Sequence, residues 1–401
     1  MRNRWGVLAV LFLVRLTMAF QFQSVAAVAP LLSGKFGVSL ADIGLLIGLY
    51  FAPGVVLSLP GGAIGQKFGD KRTALIALVM MLVGSLAMAL TELWSLQIAG
   101  RLVAGAGGVL LNVQLTKMIT DWFAGKEMAT AMAIFVNSWP AGVALSLLSL
   151  PLIGTAYGLA AVHLFVAALI AVGAVMAAFY RAPEHAIAGV ASSARLSVQV
   201  MMAVVVAGLI WGLFNLGFAM IFSFGPTMLV ERGYTIAQSG SVISIVLWLA
   251  VFSVPLGGFV ADRLKRPQFV LVAGSLLFAL LMLLLAHSGV VIPLVVALGL
   301  ISGQPAGPMM SLPARVLEPA TRALGMGIFY TLYYAAMTVG PIVAGAAAKW
   351  TGSAAAAFDF GAAVVLVCPL LLWLFNHSAQ ALSADSPRAQ PTLTCHNIQS
   401  Q

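Results

Sequence analysis

LAVLFLVRLTMAFQFQSVAAVAPLL, residues 8–32, is an apolar run with one cation, Arg15, set inside it. Read as a transmembrane helix rising about 1.5 Å per residue, it carries Arg15 roughly 15 Å below an entry point near Trp5, close to a bilayer midplane. An arginine at that depth costs roughly 2.5–3.5 kcal/mol on insertion scales and several-fold more on an isolated helix. Guanidinium stays protonated, so the charge cannot be relieved by losing a proton. Some other group must answer it.

The chain of 401 residues is 62% hydrophobic and 8% charged, where a soluble globular protein is about a quarter charged. That much apolar surface makes lipid the solvent, and the 40 glycines and 18 prolines fit membrane helices. Twelve apolar runs follow one another, near 5–32, 43–63, 73–92, 94–117, 127–150, 157–179, 201–225, 237–260, 268–287, 290–312, 323–348 and 356–376. With the N-terminus inside, fifteen of the 20 Lys and Arg fall on the cytoplasmic side. Only Lys35, Arg232 and Lys349 fall outside, and Arg15 and Arg101 lie within the membrane. This bias predicts a multi-pass protein of the plasma (inner) membrane with both termini cytoplasmic. The net charge of +9 is then a topology signal, which argues against nucleic acid and for the lipid bilayer as partner. Cys368 and Cys395 have no metal or redox spacing, so no metal and no cofactor is expected. The start of the chain imitates a signal peptide, with Arg2, Arg4 and a cleavage-like Ala27-Val28-Ala29, but the length of the run and Arg15 inside it argue against cleavage.

Shifting the sequence by 196 lays the first half on the second. Pro30 meets Pro226, Gly37 meets Gly233, Ser39 meets Thr235, Gly44 meets Gly240 and Gly62 meets Gly258. At an offset of 194, ATAMAIF (129–135) lies over ALGMGIF (323–329). Ordered coincidences at a nearly constant offset predict a duplicated six-plus-six bundle. The expected domains are a six-helix bundle over 1–180, a cytoplasmic linker over 181–200, a second bundle over 201–376 and a disordered tail over 377–401.

Twelve helices in two repeated halves, with a glycine-rich basic turn between the second and third, resemble the major facilitator superfamily. Its G-x-x-x-D-R-x-G-[RK]-[RK] loop is matched by Gly62, Gln66, Lys67, Gly69, Asp70, Lys71 and Arg72, with Gln66 in place of the acid. The second copy keeps Gly258, Asp262 and Arg263 but has Lys265 where the later glycine would stand. Arg101, Gly105 and Gly107 resemble the family's R-x-x-x-G-x-G element on the fourth helix. The resemblance implies gating roles for these loop residues, and a latch from Asp262 to the start of the fifth helix and Lys126, where Gln66 offers no equivalent. VRLTMAFQFQSVAAVAPLL, GLLIGLYFAPGV and LLNVQLTKMITDWFAGKEMATAMAI are similar to the bacterial cyanate and nitroimidazole transporter group. That likeness implies a small anion or a small polar aromatic as cargo.

None of the eleven acids sits at mid-membrane depth in this topology, whereas two arginines do. The asymmetry favours an anionic cargo over a cationic drug. Arg15 offers a planar fork suited to carboxylate, nitrate or cyanate oxygens. Gln21, Arg101, Asn112, Asn137, Trp211, Asn215, Gln304, Tyr330, Tyr333 and Tyr334 are the other candidates for the substrate site, with Trp211 standing opposite Arg15 under the repeat. Each amide could equally form an ordinary interhelical hydrogen bond, and Arg15 and Arg101 could equally lock helix packing. Enzyme signatures such as H-E-x-x-H, G-x-S-x-G or a phosphate loop are absent. The sequence therefore reads as a monomeric secondary transporter of a small anion, with a co- or counter-transported ion left open. A multidrug or small-polar-aromatic exporter and a transporter-like sensor are the rivals.

Overall fold

The computed structural model describes residues 3–123, 127–183, 196–318 and 321–385, and among these every regular element is helical. The first half comprises α1 (Arg4–Gln23), a 3-10 turn at Ala26–Val28, α2 (Ala29–Phe36), α3 (Leu40–Leu49), α4 (Ala52–Leu57), α5 (Gly61–Phe68), α6 (Asp70–Leu90), α7 (Trp94–Phe123) and α8 (Met128–Ala178). The second half comprises α9 (Val198–Glu231), α10 (Ile236–Leu264), α11 (Pro267–His287), α12 (Val291–Ser302), α13 (Ala306–Ser311), α14 (Arg322–Thr351) and α15 (Ala355–Asp385). Among the described residues eleven helical stretches are long and apolar enough to cross a bilayer. One of them, α8, breaks at Gly158, whose φ of 84° and ψ of 175° are open only to glycine, so the crossings become twelve. The fold is all-α, two six-helix halves, as the hydropathy pattern requires.

Two crossings depart from the simple pattern. The first apolar run is not one helix: α1 stops at Gln23 and the chain re-enters helix at Ala29, where Pro30 has no N–H to bond the carbonyl of Ala26. The second is interrupted between α3 and α4, where Pro53 leaves Leu49 without its helical donor. Residues 184–195, the centre of the expected linker, and 386–401 lie outside the described residues. Helix α15 continues to Asp385, so the stretch from His377 is helical and not the disordered tail expected there; its Ala, Gln and Leu keep helix propensity after the apolar run ends.

The repeat is visible in backbone detail. Gly37 and Gly233 both take positive φ, 64° and 90°, after the first crossing of each half. Ser39 and Thr235 then cap the next helix, their backbone N–H groups donating to Asp42 Oδ2 at 2.8 Å and Gln238 Oε1 at 3.0 Å. In the basic turn Gly69 has φ 87°, and its counterpart Lys265 has φ 51°, so the second copy holds a β-carbon in the left-handed region.

Take the terminal face as the end of the bundle where α1 begins and α15 finishes. The halves meet at the opposite face through paired glycines. A β-carbon on Gly44 of α3 would lie 2.1 Å from the carbonyl oxygen of Pro341 on α14, and one on Gly240 of α10 would lie 2.2 Å from that of Leu147 on α8. Such distances mean backbone against backbone, closing this end of the molecule.

Gly44→Val cannot coexist with this packing. It is expected to raise the maleimide reactivity of a cysteine placed by Leu40→Cys in a cysteine-free background several-fold. Lys265→Gly relieves the left-handed strain, and thermal unfolding in detergent should show it more stable by about 1 kcal/mol.

Candidate functional site

A cavity of about 400 Å³ lies between the halves. The first half contributes Arg15, Asn112, Asn137 and Trp139 to its wall, and the second contributes Trp211, Asn215, Tyr330, Tyr333 and Tyr334. Arg15 is the one charged side chain lining it among the described residues, and no Asp or Glu does. Toward the terminal face the wall includes the partly exposed Thr116, Met132 and Met310. Toward the opposite face it is sealed by packed rings: Phe22 packs on Phe51 at 5.0 Å, Trp139 at 5.4 Å and Phe222 at 6.0 Å between centroids. Phe51 also meets Tyr333 and Tyr334 of the second half, each at 6.2 Å. The cavity is accessible from one side.

Local sequence explains how Arg15 is held. Pro140 on α8 has no N–H, so the carbonyl of Val136, four residues earlier, loses its helical donor. Arg15 Nη1 donates to that carbonyl at 3.1 Å and to the Phe135 carbonyl at 2.9 Å. Its Nε donates to Asn112 Oδ1 at 3.2 Å, and the guanidinium sits 4.6 Å from the Phe135 ring centre. No described residue accepts a hydrogen bond from Nη2, and no carboxylate pairs with the group among the described residues. Half-buried, Arg15 keeps part of its donor fork facing the cavity.

The same pairing of a proline with a polar side chain joins the halves. Pro226 on α9 frees the carbonyl of Phe222, and Gln23, at the end of α1, donates to it through Nε2 at 2.7 Å. This amide is fully buried beside the aromatic seal.

Asn112, Asn137, Trp211, Asn215, Tyr330, Tyr333 and Tyr334 line the cavity, and Arg15 and Trp211 share it. Three other candidates do not line it. Arg101 is 0% exposed, and each of its three nitrogens donates to a backbone carbonyl: Leu46 at 2.9 Å, Gln21 at 2.7 Å and Phe22 at 2.6 Å. These carbonyls lie where the first crossing breaks and just before α3 gives way to α4, so the side chain is consumed by structure. Gln21 turns toward α6, donating to the Met81 carbonyl and Ser85 Oγ. Gln304 donates to Leu300 in its own helical turn, and its backbone packs on Gly257. Sequence reasoning missed Tyr50, Phe51 and Ser302 on the wall and Gln23 at the seal. Tyr50 and Phe51 are flagged only by their place two or three residues before Pro53.

Among the loop residues, Gly62 and Gln66 lie outside the described side chains. Asp70 forms an ion pair with Lys117, which also meets Asp121 at 3.1 Å, inside the first half. Lys67 lies over the Phe68 ring, Arg72 is exposed, and Gly258 faces Gly307 on α13. Asp262 and Arg263 are exposed, and the carboxylate of Asp262 has no described partner in this conformation; Lys126 lies outside the described residues. Of the histidines, His163 is buried with Nε2 unpaired, and His287 meets Asp359 at 2.7 Å.

A family model for the Major Facilitator Superfamily matches residues 11–317 and again 200–397. The chain belongs to that superfamily. A bacterial homolog of the human lysosomal transporter Spinster, solved in an inward-facing, occupied conformation, shares its fold with TM-score 0.73 at 14% identity, covering 96% of this chain and 97% of that one. An uncharacterized transporter of Buchnera aphidicola is 26% identical over 180 residues, 44% of each chain. The hexuronate transporter of Bacillus subtilis is 23% identical over 145 residues, 36% of this chain and 34% of its own. Azole resistance protein 1 of Saccharomyces cerevisiae is 37% identical over 90 residues, 22% of this chain and 14% of its own. The three sequence matches span less than half the length of those relatives.

Arg101→Lys keeps a charge, but one ammonium cannot reach three diverging carbonyls. Thermal unfolding in detergent is expected to show a loss of roughly 3 kcal/mol or more, since each hydrogen bond to a charged group contributes about 1.5–3 kcal/mol.

Proposed function

We propose that this superfamily member is a secondary transporter that moves a small anion across the plasma membrane by alternating access, with Arg15 as the central site. The observation that carries the reading is the free Nη2 of Arg15, facing a cavity whose described wall contains no acid. At about 4 Å and an effective dielectric near 20, a monovalent anion gains roughly 4 kcal/mol of gross attraction there, enough to bind and weak enough to release. The similarity to a hexuronate transporter, whose named cargo is a carboxylate, supports the same reading. So does the likeness of the first half to the cyanate and nitroimidazole transporter group.

The terminal face is cytoplasmic in this proposal, and the cavity is open to it. An anion entering from that side accepts from Nη2 and neutralises the guanidinium, which lowers the cost of enclosing it between apolar walls. The halves then rock: the Gly44–Pro341 and Gly240–Leu147 approaches part while the terminal ends of α8, α10 and α14 draw together. In that rearrangement Asp262 becomes the expected partner of the start of α8, and Gly62, Lys67, Gly69, Asp70, Arg72, Gly258 and Arg263 shape the turns that move.

A second reading is favoured by the aromatic wall and by the match to an azole resistance protein: export of planar drugs. It differs in needing no charge on the cargo.

Arg15→Gln in proteoliposomes is expected to reduce anion uptake to the level of empty vesicles, with the protein still folded by size exclusion and melting. Uptake at the normal rate in that variant removes Arg15 from the site. Unchanged drug efflux together with lost anion binding would move the assignment to the second reading.

A further inference from the structure

A bare inorganic anion uses little of the Arg15 cavity. Cyanate or nitrate fills roughly the volume of two water molecules, about 60 Å³ at ~30 Å³ each, where about 400 Å³ is open. Water would occupy the rest, and an attraction working through water is the weak limit of Coulomb's law. A guest that displaces this water needs an apolar body matching the wall.

The wall states what body that is. Ten of the side chains that line the cavity are aromatic, among them Tyr50, Phe51, Trp211, Tyr330 and Tyr333. Their rings are fixed by one another: Phe329, fully buried, backs Trp211 at 6.3 Å and 21°, and Tyr330 stands edge-on to Tyr333 at 90°. Rings held this way present preorganised faces to a flat guest and lose little entropy on binding it. Arg15 Nη2, the Asn137 amide, the Trp211 indole N–H and the hydroxyls of Tyr330 and Tyr333 have no hydrogen-bond partner among the described residues. Arg15 Nη2 and the Trp211 indole can only donate, which suits an acceptor-only head.

We propose that the cargo is an aromatic monocarboxylate, its carboxylate on Arg15 and its ring between Trp211 and the Tyr330–Tyr333 pair. The proposal rests on the anion reading above and narrows it: the ring contributes burial and stacking, and the guanidinium selects the charge.

Isothermal titration of the full-length protein in lipid nanodiscs separates the two levels. The probes are 2-naphthoate and benzoate, the neutral 2-naphthamide, and formate, nitrate, cyanate and glucuronate. The expected result is that 2-naphthoate binds at least tenfold more tightly than formate, nitrate, cyanate or glucuronate, and at least tenfold more tightly than 2-naphthamide. Trp211→Leu should narrow the gap between 2-naphthoate and formate at least fivefold, and melting curves check that this variant is folded. If formate, nitrate, cyanate or glucuronate binds as tightly as 2-naphthoate, the aromatic class is wrong while the anion site stands. If 2-naphthamide matches 2-naphthoate, the anion site itself falls and this proposal with it. Failure of both aryl acids to bind at millimolar concentration also overturns it.

Discussion

A carbonyl that loses its helical N–H inside a bilayer has no water to turn to, and each one left alone costs several kcal/mol. This protein creates such carbonyls at prolines and helix breaks and answers them with long polar side chains. Pro140 exposes Val136 and Arg15 takes it; Pro226 exposes Phe222 and Gln23 takes it. The interrupted first and second crossings are tied together by Arg101 through Gln21, Phe22 and Leu46. Breaks in helices that would otherwise be liabilities become fixed points of the tertiary structure.

The two intramembrane arginines look alike in the sequence and end differently. Arg101 spends all three nitrogens on backbone and stacks over Tyr50, 4.6 Å from the ring centre, in a fully buried setting. Arg15 spends two, on carbonyls and one amide, and the third has no partner among the described residues. Carbonyl dipoles thus stabilise both charges in part, and of the two only Arg15 keeps donor capacity unspent. Because α1 carries both Arg15 and Gln23, the cavity and the seam between the halves share one helix.

The repeat imposes its own geometry. Gly44 and Gly240 stand at equivalent positions and make equivalent backbone approaches, so closure of the opposite face is nearly two-fold. The symmetry is not carried into the loops: Gly69 fits its left-handed turn, Lys265 is strained in the same place, and the Asp70–Lys117–Asp121 ion pairs belong to the first half. The two halves therefore differ at their basic turns while matching at their glycine contacts.

Hydropathy, the offset of 196 and the positions of capping and turn residues determined the all-α duplicated bundle from the sequence alone. Those signals are local, or repeat at fixed spacing, and lipid forces every apolar run into a helix. The same pattern put Arg15, the asparagines and the tyrosine cluster at cavity depth. It could not say which way a side chain turns about its helix. Gln21 and Gln23 are two residues apart and differ by about 200° around the axis, so one reaches α6 and the other reaches across to α9. Arg101 and Arg15 also sit at different levels: Arg15 meets Asn112 on α7, roughly 16 Å along that helix from Arg101, which reaches the carbonyls near the end of α1. Only the packing of twelve crossings decides which guanidinium meets orphaned carbonyls on every side and which keeps one edge open.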